Sequence, residues 1–114
     1  MRRALVGLLL AAVSLGQSAG AAEPPAERIS FMVFGDIAEK AAYEQLVADF
    51  TRHHPRIQVS LIHIPSQGDY RKRLGVDFAA GNPADIVLLN YRRYGAFAAK
   101  GVLEPLGPYP SAAA

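Results

Sequence analysis

The chain contains no cysteine. That absence removes disulfides and thiolate metal sites, and in an exported bacterial protein it also removes the lipidated cysteine that would tether the chain to a membrane. Long apolar runs are missing too. The stretch from Ala4 to Leu15 holds 12 residues, whereas a membrane-spanning helix needs roughly 20. Net charge is scarce once the two halves are separated. The formal +2 rests on Arg2 and Arg3; taking them from the twelve basic residues leaves ten against ten acidic ones from Glu23 onward. The pI of 9.2 is therefore no footprint of nucleic-acid binding, because nothing remains to track a phosphate backbone. Neither G-x-G-x-x-G nor G-K-[ST] occurs, so dinucleotide and phosphate-loop readings fail and no cofactor is implied. Ser60 and Ser66 lack a nucleophile-elbow context, no two carboxylates converge on one expected cleft wall, and no catalytic set emerges.

What is present begins with three parts in residues 1–22: a positive start at Arg2 and Arg3, the short apolar run, and the small residues of "QSAGAA". This is the pattern of a cleaved export signal. "MRRALVG" lacks a polar residue before the arginine pair, which favours general secretion over the twin-arginine route. A soluble periplasmic chain from Glu23 onward follows, about 92 residues (114 minus 22) long. That is enough for an independent core. "AEPPAE", residues 22–27, reads as a disordered leader.

From there strand and helix alternate three times. Ile29–Phe34 is apolar on both faces, as a parallel strand covered by helices requires. A helix starts at Asp36, carries Tyr43, Leu46, Val47 and Phe50 as one apolar stripe, and ends before Pro55. Asp36 and Glu39 have the spacing of a capping box. Val59–Ile64 gives a second strand. The next helix begins at Ser66 or Asp69, turns Tyr70, Leu74 and Phe78 inward and stops at Gly81. Asp85–Leu89 is a third strand, and a last helix from about Tyr91 to Lys100 presents Tyr94 and Phe97 to the sheet before Gly101. The fold class is α/β, three layers in the order βαβαβα, with right-handed crossovers and a parallel sheet of order 2-1-3. In such a sheet ligands bind outside the carboxyl ends of the strands, where the connections leave in opposite directions. Gly35 and Asp36 stand at one of those ends, Asn90 and Tyr91 at the other.

Each candidate has a plainer reading. Asp36 and Asn90 are good helix N-caps, although one carboxylate oxygen of Asp36 can serve the helix while the other accepts a hydroxyl. Phe34 and Tyr91 can stack on a sugar ring or simply pack at a rim. His53 and His54 sit at a helix end, where solvent and the helix dipole account for them, and His63 lies on a strand without a clear partner, so no metal site is expected. "YRKR", residues 70–73, reads foremost as a solvated helix face, with contact to an anionic solute or an importer as the alternative.

Taken together, "FGDIAEKAAYEQLVADFTRHHPRIQV", "GNPADIVLLN" and "YGAFAAKGVLEPL" resemble the opening of a family 1 extracellular solute-binding protein, the group that includes maltose-binding protein and feeds sugar ABC importers. The resemblance covers about Ile29 to Leu106. It implies a type II periplasmic binding protein fold, two α/β lobes closing on a ligand, of which this chain supplies the first part of lobe one. It also implies a monomer whose partners are a small solute and an importer permease. The family's ligand contacts fall on Phe34 and Asp36 after strand 1, on the loop Gln67 to Tyr70 after strand 2, and on Leu89, Asn90 and Arg92 after strand 3; the strand-end geometry adds Gly35 and Tyr91. Asp36 matches a sugar-binding aspartate of maltose-binding protein. A tryptophan of that protein becomes Leu89 and its second aspartate becomes Arg92, so maltose is disfavoured. A sugar, polyol or glycerol-phosphate-type solute remains open, with Arg92 or Arg93 as anion contacts. The readings that compete with a receptor piece are a small exported enzyme or metal-binding protein and a remnant without activity.

Overall fold

The computed structural model describes Gly20, Glu23 and residues 26–110. The expected export signal therefore lies, Gly20 apart, outside the described residues. Six elements follow one another: β1 Glu27–Phe34, α1 Ile37–His53, β2 Ile57–Ile64, α2 Gln67–Ala79, β3 Ile86–Val87 and α3 Tyr91–Ala99. The strands are parallel in the order β2-β1-β3, the arrangement expected from two successive βαβ units.

β1 is central and its side chains alternate between two layers. Phe31 turns to one face and meets the Tyr43 ring of α1 edge-on at 5.8 Å. Met32 turns to the other and joins Tyr70 and Leu74 of α2 in the buried cluster, with Phe34, Ile62, Ile64, Val87 and Phe97 packed around it. Met32 and Val33 are wholly buried, and Tyr70 and Leu74 nearly so. Burying a side chain of this size contributes about 1.5–3 kcal/mol, so this cluster anchors the domain.

Local chemistry sets the helix ends. The Asp36 carboxylate accepts from the Glu39 N–H while the Asp36 N–H donates to the Glu39 carboxylate, a complete capping box at the start of α1. Ser66 Oγ accepts from the Asp69 N–H at α2, which decides between the two expected starts. At its other end Gly81 takes φ +70, with Gly81 N–H donating to Phe78 O and Asn82 N–H to Asp77 O. This is the two-bond glycine stop that only a residue without Cβ adopts cheaply.

Four expectations need correction. The leader does not run to residue 27: Glu27 is already in β1, and both the Ala26 and Glu27 N–H groups donate to Arg56 O. β2 likewise begins at Ile57, two residues earlier than expected. The third strand shrinks from Asp85–Leu89 to Ile86–Val87 because side chains take its outer hydrogen bonds. Asp85 Oδ2 accepts from both the N–H and the hydroxyl of Ser30, and the Tyr70 hydroxyl takes the Leu88 carbonyl. Tyr94 does not face the sheet but stands 58% exposed, while Phe97 alone of that pair turns inward to Phe78. The α1 stripe lies over the sheet as expected, yet Leu46 and Phe50 remain exposed and no α1 residue is fully buried.

Candidate solute-binding cleft

The carboxyl ends of the three strands are tied to one another. After Phe34 the chain turns at Gly35, which is buried with φ +147. A Cβ there would lie 2.4 Å from Glu39 Oε2 and 2.8 Å from Glu39 Cβ, so the capping box and the glycine require each other. Across the sheet, His63 Nε2 donates to Gly35 O at 2.8 Å, which fixes the imidazole with its proton on Nε2. Asp36 uses Oδ1 for the helix, at 2.9 Å, and is exposed.

Tyr70 joins β1 to β3. Its hydroxyl lies 3.0 Å from Met32 O and 2.9 Å from Leu88 O, and accepts from the Leu88 N–H at 2.9 Å. Burial, partly offset by the Leu88 hydrogen bond, pushes the phenol from its ordinary value of 10.0 up to about 12. The ring is 2% exposed and packs on Phe34 with centroids 4.9 Å apart. Tyr70 therefore ties the strand ends together, with its ring packed on Phe34.

At the end of β3, Asn90 occupies the N-cap position of α3 with extended backbone, φ −79 and ψ 157, yet its side chain makes no capping hydrogen bond. Its Oδ1 is buried without a hydrogen-bond partner. A buried acceptor left in this state costs about 1–3 kcal/mol, and buried polar groups are nearly always paired. Tyr91 is 82% exposed. Arg92 leans on it, with Nε donating to the Tyr91 hydroxyl at 3.1 Å and Cζ 5.6 Å from the ring centroid.

These groups border an open cavity of about 650 Å³ lined by Gln67, Arg71, Asn90, Tyr91, Arg92 and Arg93, with Ala96 and Phe97 supplying apolar surface. Of the residues singled out in the sequence, Gln67, Asn90, Tyr91, Arg92 and Arg93 share this cavity. Phe34 and Tyr70 adjoin it through a narrow cleft that they share with Gln67, Asn90 and Leu89. Gly35 and Asp36 line neither space. Arg71 belongs to the "YRKR" run, whose two readings are a solvated face and contact with an anionic solute or an importer; the rotation of α2 turns it toward α3 while Arg73 pairs with Asp77. The histidines stay apart. His53 Nδ1 lies 2.8 Å from Asp49 O, His54 stacks on Phe50 at 4.5 Å, and among the described residues no three His, Cys, Asp or Glu side chains converge as a metal would require.

An open parallel sheet with a polar cavity outside its strand ends is the architecture of a ligand-binding α/β domain. The comparisons specify it further. Residues 35–114 match the family model described as bacterial extracellular solute-binding protein, and the chain belongs to that family. The chain is similar in structure to an extracellular solute-binding protein family 1 member from Alicyclobacillus acidocaldarius, with a TM-score of 0.71 and 26% identity over 76% of this chain and 22% of that one. It also shares its fold with the GacH receptor of Streptomyces glaucescens, solved unliganded and with acarbose, at a TM-score of 0.66 and 24% identity over 72% of this chain and 21% of that one. This chain thus spans about a fifth of the length of those two proteins. The comparison with curated proteins gave no match.

Proposed function

We propose that the chain forms one wall of the solute cleft of an exported receptor, which hands a carbohydrate-like solute to the permease of an ABC importer and performs no chemistry on it. The work of such a wall is recognition: hydrogen-bond acceptors and donors for hydroxyls, and an exposed ring for the apolar face of a sugar. Gln67, Asn90, Tyr91 and Arg92 supply those groups, with Phe34 and Tyr70 adjoining them and Gly35 and Asp36 forming the turn after β1. Family membership supports an exported, periplasmic setting.

The observation that carries this reading is Asn90 Oδ1, buried and without a donor beside the cavity. A solute hydroxyl supplies the missing donor, and a helix cap does not explain the atom because no capping bond is made.

The test is a nuclear magnetic resonance titration of the chain with a panel of mono- and disaccharides, polyols and glycerol 3-phosphate. Binding is expected to be weak, because a single wall contributes only part of the contacts of a closed cleft. It is expected to move the resonances of Gln67, Asn90, Tyr91 and Arg92, and Asn90→Ala is expected to abolish the response. A panel that leaves these resonances unmoved, or moves only residues elsewhere, refutes the proposal.

A further inference from the structure

We propose that the solute is a polyhydroxy anion, a compound carrying a phosphate or carboxylate beside its hydroxyls, and that Arg71, Arg92 and Arg93 hold the anionic group while Asn90 takes an adjacent hydroxyl. This rests on the solute-receptor reading above and narrows it to one charge class.

The first support is convergence. Arg71 comes from α2 and Arg92 and Arg93 from α3, yet the three line one cavity that no aspartate or glutamate lines. The second is how the other basic residues are used. On α1 and α2, Lys40 pairs with Glu44, Arg52 with Asp49, Lys72 with Asp69 and Arg73 with Asp77. Among the described residues of those two helices, Arg71 is the one lysine or arginine left without a carboxylate. Three arginines lining one cavity without a carboxylate give that cavity a positive potential, which an anion neutralises. Their planar, forked N–H groups match two oxygens of a phosphate or carboxylate at once.

The third support is the start of α3. α1 and α2 each have a capping side chain and an acidic residue in the first turn, Glu39 and Asp69. α3 has neither. Its leading N–H groups and the positive end of its dipole therefore add to the field of Arg92 and Arg93 instead of being cancelled by a carboxylate. Asn90 Oδ1, an acceptor, is unsuited to the anion itself and suited to a hydroxyl donor next to it. The combination selects a compound that is both hydroxylated and charged.

The experiment titrates the full chain, observed by nuclear magnetic resonance, with four probes: glycerol 3-phosphate, gluconate, glycerol and inorganic phosphate. The two anionic polyols are expected to bind at least about tenfold more tightly than glycerol, with shifts centred on Arg71 and on Asn90 to Arg93; fully hydrogen-bonded charge pairs account for a difference of that size. Their affinity falls between about 20 and 200 mM salt, as the shorter screening length requires, while that of glycerol holds. Arg71→Gln and Arg93→Gln, both on exposed side chains, are expected to weaken the anionic polyols at least about fivefold each and glycerol by a smaller factor; an equal loss for both classes overturns the inference. The phosphate and carboxylate arms distinguish the two sources of negative charge, and preference for either supports the inference. Equal affinity for glycerol and the anionic polyols overturns it and leaves the receptor reading standing. Inorganic phosphate binding as tightly as glycerol 3-phosphate overturns the hydroxyl half, and the absence of any response overturns the inference together with the receptor reading.

Discussion

Replacing Tyr70 by phenylalanine removes one oxygen atom and nothing else, which makes it the cleanest probe of how the strand ends are held. The ring keeps its packing on Phe34 at 4.9 Å, so no cavity beyond that of the oxygen opens. What is lost is the contact of the hydroxyl with Met32 O and Leu88 O and with the Leu88 N–H. The Leu88 N–H still reaches Met32 O at 3.1 Å, so that donor and that acceptor keep a partner. The Leu88 carbonyl does not. Stranding one half-buried carbonyl and losing the hydroxyl bonds costs about 2 kcal/mol, within the range of about 1–3 for an unsatisfied buried partner. For a domain of this size the cost corresponds to a fall in Tm of about 8–16 °C, measured by far-ultraviolet circular dichroism of both chains. The same substitution changes the alkaline limb. Because the folded phenol titrates at about 12 and the unfolded one at 10.0, the native state favours the protonated form. Its stabilisation is full below about pH 10 and declines as pH rises through about 12. Y70F is therefore expected to show a shallower loss of stability in that window than the parent chain. A Tm unchanged within about 2 °C, with identical alkaline limbs, would mean that the hydroxyl does not bridge β1 and β3.

Two further substitutions test the turn after β1 and the amino end of β3. Gly35→Ala forces a Cβ to within 2.4 Å of Glu39 Oε2 at φ +147; it is expected to destabilise the chain by about 1–3 kcal/mol in urea unfolding, and a neutral effect would refute the tight packing of the turn. Asp85→Asn weakens the acceptor that holds the Ser30 N–H and hydroxyl. These bonds, the backbone one foremost, keep the Asp85 carboxyl below its ordinary range, so its contribution is present at neutral pH and lost as pH falls through that depressed value. The urea midpoint of the parent is expected to drop more steeply on acidification than that of D85N, and parallel profiles would refute the assignment.

Some of this chain can be read from residues near one another in sequence. The capping pair Asp36 and Glu39, the serine that opens α2 and the glycines that close α2 and α3 act within one helical turn, and each does in the structure what its spacing implies. The apolar run Phe31–Phe34 of β1 likewise requires cover on both faces, which is enough to call for helices on either side of a parallel sheet. Residues whose role depends on a distant partner were illegible. Asp85 looks like a strand residue until Ser30, 55 positions away, is found beside it. Tyr70 sits at a position where a ring could face solute or core; it faces core because Met32 and Leu88 together leave a place for its hydroxyl.

The sequence by itself determined the order of strands and helices, the capping side chains of α1 and α2 and the near-neutral balance of the chain after its first residues, because these follow from short-range hydrogen bonding, periodicity and counting. Only the tertiary structure decided which side chains share the cavity. The rotation of α2 and α3 about their own axes is set by packing against the sheet. That rotation brings Arg71 to Arg92 and Arg93, turns Tyr94 outward and leaves Asn90 Oδ1 buried without a partner.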